Sequence, residues 1–232
     1  MTPAPKPPAS AKQTAEQSRQ AEQAPQAAQA PQPAQATQAT PKKPSPRRTY
    51  HHGDLRRAIL TAALDVIASD GPSALSLRDL ARRAGVSHAA PAHHFRDRTG
   101  LLTSIAAEGF GLLADTLTEA DDLKDAGVHY VRFAREHPAH FQVMFTPELL
   151  RTDDLELTAA RTLAGDALRG AVSAVRPETL GIDSRLAGVA AWSLAHGFAA
   201  LLLGHNLDGP VGDKDPEEVF RTLAATLFRS GT

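Results

Sequence analysis

The sequence predicts an all-α protein of about nine helices, and three observations support this fold class. Apolar residues recur three and four positions apart from residue 54 onward, glycine and proline separate the periodic segments, and no alternating β-strand pattern of any length is visible. The 232 residues suffice to bury a sizeable core in one or two domains. We expect a disordered tail over residues 1–46, a three-helix unit over 47–98 and a larger helical unit over 99–232.

The tail is rich in proline, alanine and glutamine and nearly free of large apolar side chains. Such a composition cannot bury enough surface to offset the entropy of ordering, so disorder is expected. A glutamine stands at every third position from Gln17 to Gln38. This period fits a polyproline II ribbon, although an expanded repeat without a function is the simpler explanation.

The first helix is predicted over Asp54–Ser69, followed by a two-helix segment over Leu75–Arg98. Ser76 and Asp79 form the S-x-x-D pattern of a capping box at the start of the second helix. Gly85 stands where a left-handed residue would end that helix. The two helices are therefore expected to be joined by a tight glycine turn.

The third helix is predicted from His88 to His94, with Ser87 as its cap. Pro91 would then fall near the fourth helical position, at the edge of where proline is tolerated. Two short helices at this spacing, the second one polar and exposed, are typical of a helix-turn-helix, which places its second helix in the DNA major groove. The alternative is a surface helix pair that binds nothing.

The rear of the chain is predicted to be helical throughout. Apolar stripes and proline breaks indicate helices over residues 99–116, 122–137, a short segment from 138, 153–175, 183–204 and 216–229. The most apolar run, Ala187–Leu203, is interrupted by Ser193 and His196, so we expect a buried or interface helix rather than a membrane span.

Charge and composition narrow the function. Residues 1–48 carry seven Lys and Arg against two Asp and Glu, residues 49–100 carry seven against five, and residues 101–232 carry eleven against nineteen. A basic front suits contact with a polyanion, although an acidic rear also serves solubility. The absence of cysteine excludes disulfides, zinc–cysteine sites and thiol catalysis. The N-terminus lacks the apolar stretch of a signal peptide, so we expect a soluble, cytoplasmic protein.

The sequence gives little support for a metal site or an enzymatic activity. The five histidines at 51, 52, 88, 93 and 94 lack the spacing of a metal site, so no metal is expected. The chain has no nucleophile motif, no glycine-rich phosphate loop and no acid–base pair at a telling spacing, so we expect no enzyme.

Three front motifs together resemble the TetR family of regulators: G-D-L-R-R-A-I-L-x-A-A-L-x-x-I-A-x-x-G, L-S-L-R-D-L-A-R-R-A-G-V-S and H-H-F-R-D-R-T-G-L-L. In the rear, E-H-P-A-H-F-Q-V-M-F and A-A-W-S-L-A-H-G-F resemble the narrower branch named for a Trp-His-Gly motif. The resemblance implies a homodimer that binds a palindromic operator in double-stranded DNA and is released by a small-molecule effector of unknown identity. An activator, and a helical adaptor that uses its helix-turn-helix for protein contacts, are the alternatives.

Candidate DNA contacts follow from the helix-turn-helix. Histidine can hydrogen-bond to bases, and an alanine methyl can contact a thymine methyl. The expected base-facing residues are His88, Ala89, Ala90 and His93, with Arg78 contacting a base or a phosphate. Contacts to the DNA backbone are expected from Ser76, His94 and Arg98, and Ser87 is a further candidate DNA contact.

This chain departs from the family's pattern at three positions in this segment. Many relatives have tyrosine where this chain has Ala92 and His94, and lysine where it has Arg98. Ala92 removes a phosphate-contacting hydroxyl, while His94 can donate to a phosphate instead and Arg98 keeps the positive charge. We expect either a modest affinity for DNA or a greater dependence on Arg98 and on the basic stretch Lys42–Arg48. We hypothesise that this stretch touches phosphates or the minor groove.

The rear offers candidate ligand contacts among its aromatic and sulfur side chains, although aromatic residues at helical spacing are as often plain core. The candidates are Phe110, Tyr130, Phe133, Phe141, Met144, Phe145, Trp192 and His196. The last two lie one helical turn apart, where one can present a ring and the other a polar group. The final two predicted helices are the expected dimer interface.

Overall fold

The computed structural model describes residues 52–173 and 183–227. Within them it has ten α-helices, two short 3-10 helices and no β-strand, which confirms the all-α class. The predicted tail over residues 1–46 lies outside the described residues. The helices are α1 (His52–Asp70), α2 (Leu77–Arg83), α3 (Ala90–Phe95), α4 (Arg98–Thr118), α5 (Leu123–Glu136), α6 (Pro138–Met144), α7 (Leu155–Ser173), α8 (Ser184–Leu203), α9 (Asp208–Val211) and α10 (Pro216–Leu227).

The predicted count of nine helices is one too low for the described residues. The helix that was missed is α9, a single turn that is too short to show a periodic pattern. Both 3-10 helices, Pro72–Ala74 and Pro147–Leu149, also went unpredicted. The predicted ends at Val175 and Arg229 lie outside the described residues.

Capping side chains determine where the longer helices begin. Asp97 accepts a hydrogen bond from the Gly100 N–H at 2.8 Å before α4, and Asp122 accepts from the Asp125 N–H at 2.8 Å before α5. Asp183 accepts from the Arg185 N–H at 2.7 Å before α8. Each carboxylate satisfies an N–H that has no partner inside its helix.

Buried apolar side chains form one large cluster from α1 to α10, and Leu123, Val172 and Ala187 form a small second cluster. Helix α4 is buried along its whole length and packs against α5, α6 and α7. Phe133 and Phe220 are among the largest fully buried side chains of this core. Because α4 also contacts α3, the helix-turn-helix is attached directly to the core of the rear helices.

Candidate functional site

The turn between α2 and α3 has the hydrogen bonds of a Schellman motif. The Val86 N–H donates to the Ala81 carbonyl at 2.9 Å, and the Gly85 N–H donates to the Arg82 carbonyl at 3.3 Å. Gly85 has a φ of +66°, in the left-handed region where a glycine has no Cβ penalty. The predicted glycine turn is therefore confirmed by the backbone geometry.

Helix α3 begins two residues later than predicted. Its N-cap is Ala89, and Ser87 contributes its backbone carbonyl, which accepts from the Ala90 N–H at 3.0 Å. Pro91 consequently lies in the first turn of α3, where a helix has no partner for an N–H and the fixed φ of proline is favourable. The predicted place of Pro91 near the fourth position is wrong, because the preference of proline for the first turn favours the later start.

The capping box predicted at α2 is also wrong. Ser76 occupies the N-cap position but makes no side-chain cap hydrogen bond among the described residues. The Asp79 carboxylate instead accepts from Arg82 and Arg83, each at 2.6 Å, and these hydrogen bonds lower the pKa of Asp79. The two guanidiniums lie three and four residues away on the same helix face. The Asp79 carboxylate therefore binds them rather than the backbone N–H of Ser76.

Most of the predicted DNA-contact residues are exposed. Pro91 and Phe95 are buried, one turn apart, so the opposite side of α3 faces outward. The exposed predicted residues are Ser76, Arg78, Ser87, His88, Ala89 and His93. Ala90 and His94 are half-buried, and the His94 ring packs near Phe95 with centroids 6.2 Å apart. Six of the nine predicted DNA-contact residues are thus exposed, and their contacts with DNA remain a prediction.

Arg98 has a partner inside the protein that the sequence did not predict. This half-buried side chain donates from Nη2 to the carbonyl oxygen of Pro72 at 2.7 Å. Its Nε is buried without a hydrogen-bond partner in the described part of the chain. Arg98 therefore links the start of α4 to the loop between α1 and α2, and a phosphate contact by it remains a prediction.

The junction between α3 and α4 is tightly built. Arg96 has a φ of +68°, which is uncommon for a residue with a side chain. At Gly100, an added Cβ would lie 2.0 Å from the Phe95 carbonyl oxygen, so only glycine permits this approach. Asp97 binds Arg151 at 2.6 Å, and the Arg151 N–H donates to Thr103 Oγ1 at 3.0 Å.

The rear helices line a partly open cavity of about 440 Å³, within the range of small-molecule sites. Its walls come from α4, α5, α6, α7, α8 and α10. It is lined by Phe110, Leu113, Leu117, Leu123, Lys124, Ala126, Gly127, Tyr130, Met144, Phe145, Pro147, Arg161, Ala164, Gly165, Leu168, Ala191, Trp192, Ala195, Phe220 and Ala224.

The structure brings five of the eight predicted ligand residues to this cavity: Phe110, Tyr130, Met144, Phe145 and Trp192. The other three, Phe133, Phe141 and His196, do not line this cavity. Phe133 is fully buried and contacts His137, with ring centroids 5.3 Å apart. Phe141 stacks on His196 at 5.2 Å. The residues of the core and those of the cavity wall are both apolar and recur at the same helical spacing. The sequence pattern alone therefore does not separate them.

His196 lies behind the cavity wall and supports it. Its Nδ1 is 2.9 Å from the Tyr130 hydroxyl. Burial lowers the pKa of His196 and raises the pKa of the Tyr130 phenol, while a side-chain hydrogen bond with Trp192 offsets part of the phenol's shift. A neutral histidine can accept a hydrogen bond from the phenol, so His196 fixes the position of the Tyr130 hydroxyl.

Sequence reasoning missed Arg161, Lys124 and Phe220. Arg161 lies four residues after Leu157 and three before Ala164, so a charge interrupts the buried stripe of α7. That interruption was a usable signal. Phe220 carried no signal beyond its apolar stripe, because only the packing of α10 on α5 brings it to the cavity.

Helix α8 presents large apolar side chains to solvent. Leu186, Val189 and Leu201 are 60%, 56% and 48% exposed. By length and composition α8 is the one described helix that qualifies as a membrane span, although a core or interface helix can have the same composition. Within the described residues, no group of three His, Asp or Glu side chains is arranged to hold a metal ion.

Two family models match the chain. Residues 59–105 match "Bacterial regulatory proteins, tetR family", and residues 123–227 match "Tetracyclin repressor-like, C-terminal domain". Together they cover more than half of the 232 residues. No curated protein matches at a significant level.

Solved structures share the fold over most of their length. A protein of unknown function from Rhodococcus sp. RHA1 is 34% identical, with a TM-score of 0.65, covering 78% of this chain and 97% of that one. The TetR family transcriptional regulator PfmR from Thermus thermophilus is 26% identical, with a TM-score of 0.56, covering 75% and 98%. AibR, solved with isovaleryl coenzyme A and operator DNA, is 16% identical, with a TM-score of 0.59, covering 76% and 100%, and shows the fold alone.

Proposed function

Because the chain belongs to the TetR family of bacterial transcriptional regulators, we propose that it is a repressor released from its operator by a small molecule. It binds a palindromic operator as a homodimer and acts in the cytoplasm, without an enzymatic activity. Residues 47–98 form the DNA-binding domain, and residues 99–232 form the ligand-binding and dimerisation domain. The A-A-W-S-L-A-H-G-F motif further suggests the Trp-His-Gly branch of the family.

The main support for this proposal is the exposed face of α3, which follows the Schellman turn. His88, Ala89, Ala90 and His93 face base edges, and Arg78 contacts a base or a phosphate. Ser76, Ser87, His94 and Arg98 position the DNA backbone. Arg82 and Arg83 are also exposed at the end of α2, and together with the Asp79 carboxylate they leave a net positive charge beside the turn.

The homodimer is supported by the apolar surface of α8. A single exposed leucine is common on protein surfaces, but three large apolar side chains on one helix are typical of an interface. We propose that α8 and α10 pack against their counterparts in a second copy. The two-fold axis then sets the two α3 helices about 34–36 Å apart, one turn of DNA.

Release is proposed to run along the chain from the cavity to α3. Phe145 and Pro147 line the cavity, and Arg151 follows only four residues later and binds Asp97 between α3 and α4. A ligand that binds better when this segment is displaced favours a misplaced α3, and by linkage it lowers DNA affinity. The same ligand must therefore bind the free protein more tightly than the DNA-bound protein.

A salt-titrated gel shift on DNA flanking the protein's own coding region tests the function. We expect a shifted complex whose binding constant falls steeply with salt, by a logarithmic slope of about −0.9 per phosphate neutralised. Arg78→Ala should reduce that slope, whereas a matched change at exposed Lys214 should not. A protein that shifts no DNA at low salt would instead favour the helical adaptor.

A further inference from the structure

The charges around the cavity are one-sided. Lys124 on α5 and Arg161 on α7 both line it, and no Asp or Glu is among its described lining residues. The remaining wall is apolar or aromatic. A molecule that fills this cavity therefore lies beside two basic residues and no described acidic residue.

Arg161 differs from most other arginines of the rear helices. Among the described residues, Arg132, Arg135, Arg151, Arg169 and Arg221 each form an ion pair with a carboxylate. The Arg161 guanidinium instead lies 5.3 Å from the ring centroid of Phe110, which is itself a cavity residue. A half-buried guanidinium without a described carboxylate has hydrogen-bond donors available for an anion.

We propose that the ligand of this cavity is an amphipathic carboxylate. Its apolar chain or ring packs against Phe110, Met144 and Phe220, and its carboxylate binds the Arg161 guanidinium, whose planar fork suits two carboxylate oxygens. Lys124 adds a second positive charge at the cavity. This inference rests on the proposed function, because it assumes that the cavity is the effector site.

The chain contains its own reporter for this test. Trp192 is the only tryptophan in the sequence and lines the cavity, so its fluorescence responds to occupation of that site. Full-length protein is titrated with decanoate, decan-1-ol and decylamine, which share one chain and differ in headgroup charge. We expect decanoate to bind about tenfold more tightly than decan-1-ol, or about 1.4 kcal/mol, and decylamine to bind most weakly.

Variants assign the preference to Arg161. Arg161→Gln should bring the affinity for decanoate close to that for decan-1-ol, and Arg161→Lys should retain most of the preference. Lys214→Gln removes one charge from an exposed residue outside the cavity and should change neither affinity. If Arg161→Gln fails to fold, a salt titration of the wild-type protein still tests the proposal. Added salt should lower the affinity for decanoate and leave the affinity for decan-1-ol unchanged.

The inference is overturned if decan-1-ol or decylamine binds as tightly as decanoate, or if none of the three changes Trp192 fluorescence. A gel shift on the same preparation separates the two proposals. Protein that binds DNA but does not prefer the carboxylate refutes only the ligand class. Protein that prefers the carboxylate but binds no DNA refutes the proposed function.

Discussion

Replacing Gly85 tests the turn that presents α3. Gly85 has a φ of +66°, and among the described residues nothing lies within 4 Å of a Cβ added there. The cost of Gly85→Ala is therefore conformational rather than steric. A left-handed alanine costs roughly 1 kcal/mol relative to glycine, so the free energy of unfolding should fall by about that amount.

Gly111 supplies a matched control of opposite sign. It lies inside α4 with open space around an added Cβ in the described structure and without a positive φ. Gly111→Ala should raise the free energy of unfolding by roughly 0.5–1 kcal/mol, because alanine is the better helix former. Gly85→Asn should fall between wild type and Gly85→Ala, since asparagine tolerates the left-handed region.

Thermal unfolding followed by circular dichroism measures all three variants. For a chain of this size, 1 kcal/mol corresponds to a shift in Tm of about 2–4 °C. We expect Gly85→Ala to melt below wild type and Gly111→Ala above it. If Gly85→Ala melted at or above the wild-type temperature, residue 85 would not be left-handed and the Schellman turn would be wrong.

Single contacts elsewhere in the structure give four more predictions. Arg98→Ala should lower stability by about 1–3 kcal/mol through loss of the charged hydrogen bond to Pro72, whereas exposed Arg78→Ala should leave the denaturation midpoint unchanged. Arg151→Ala should reduce the ligand-induced change in DNA affinity by up to about fivefold, since a partly exposed ion pair is worth up to about 1 kcal/mol; an undiminished change in anisotropy titrations would contradict the route through Asp97. Leu186→Asp with Leu201→Asp should yield monomers in light scattering, while the same change at exposed Leu155 should leave a dimer. Burial lowers the folded-state pKa of His196 and His140 below 6.5, so the unfolded state binds more protons. Tm should therefore fall as pH drops below that value. His196→Phe should make Tm depend less on pH, and an unchanged slope of Tm against pH would contradict the buried neutral histidine.

The sequence predicted the helices well because their signals are local. Apolar periodicity located α4 and α5 to within two residues. Gly85 identified the turn, since glycine is the residue type that adopts a positive φ most readily. The start of α3 was missed because Ser87 is a good cap in isolation, and the effect of Pro91 on the helix start was underestimated. The single-turn α9 was too short to show a period.

The candidate site was less accessible from the sequence because it depends on packing. Trp192 and Phe145 were identified as cavity residues, but Phe133 and Phe141 have the same chemistry and lie in the core. Which aromatic ring faces a void is decided by the distances between helices, which no periodicity encodes. The pairing of Arg151 with Asp97 spans 54 residues and likewise carries no local signal.

Selection of bound DNA from a random-sequence pool tests the central claim that the exposed face of α3 reads an operator. The account predicts one enriched palindrome whose half-sites lie about one helical turn apart, bound at least roughly 10³-fold more tightly than random DNA. Replacing both His88 and His93 by alanine should lower that ratio while leaving affinity for random DNA nearly unchanged. A wild-type protein that enriches no sequence, or a double variant that keeps the full ratio, would contradict it.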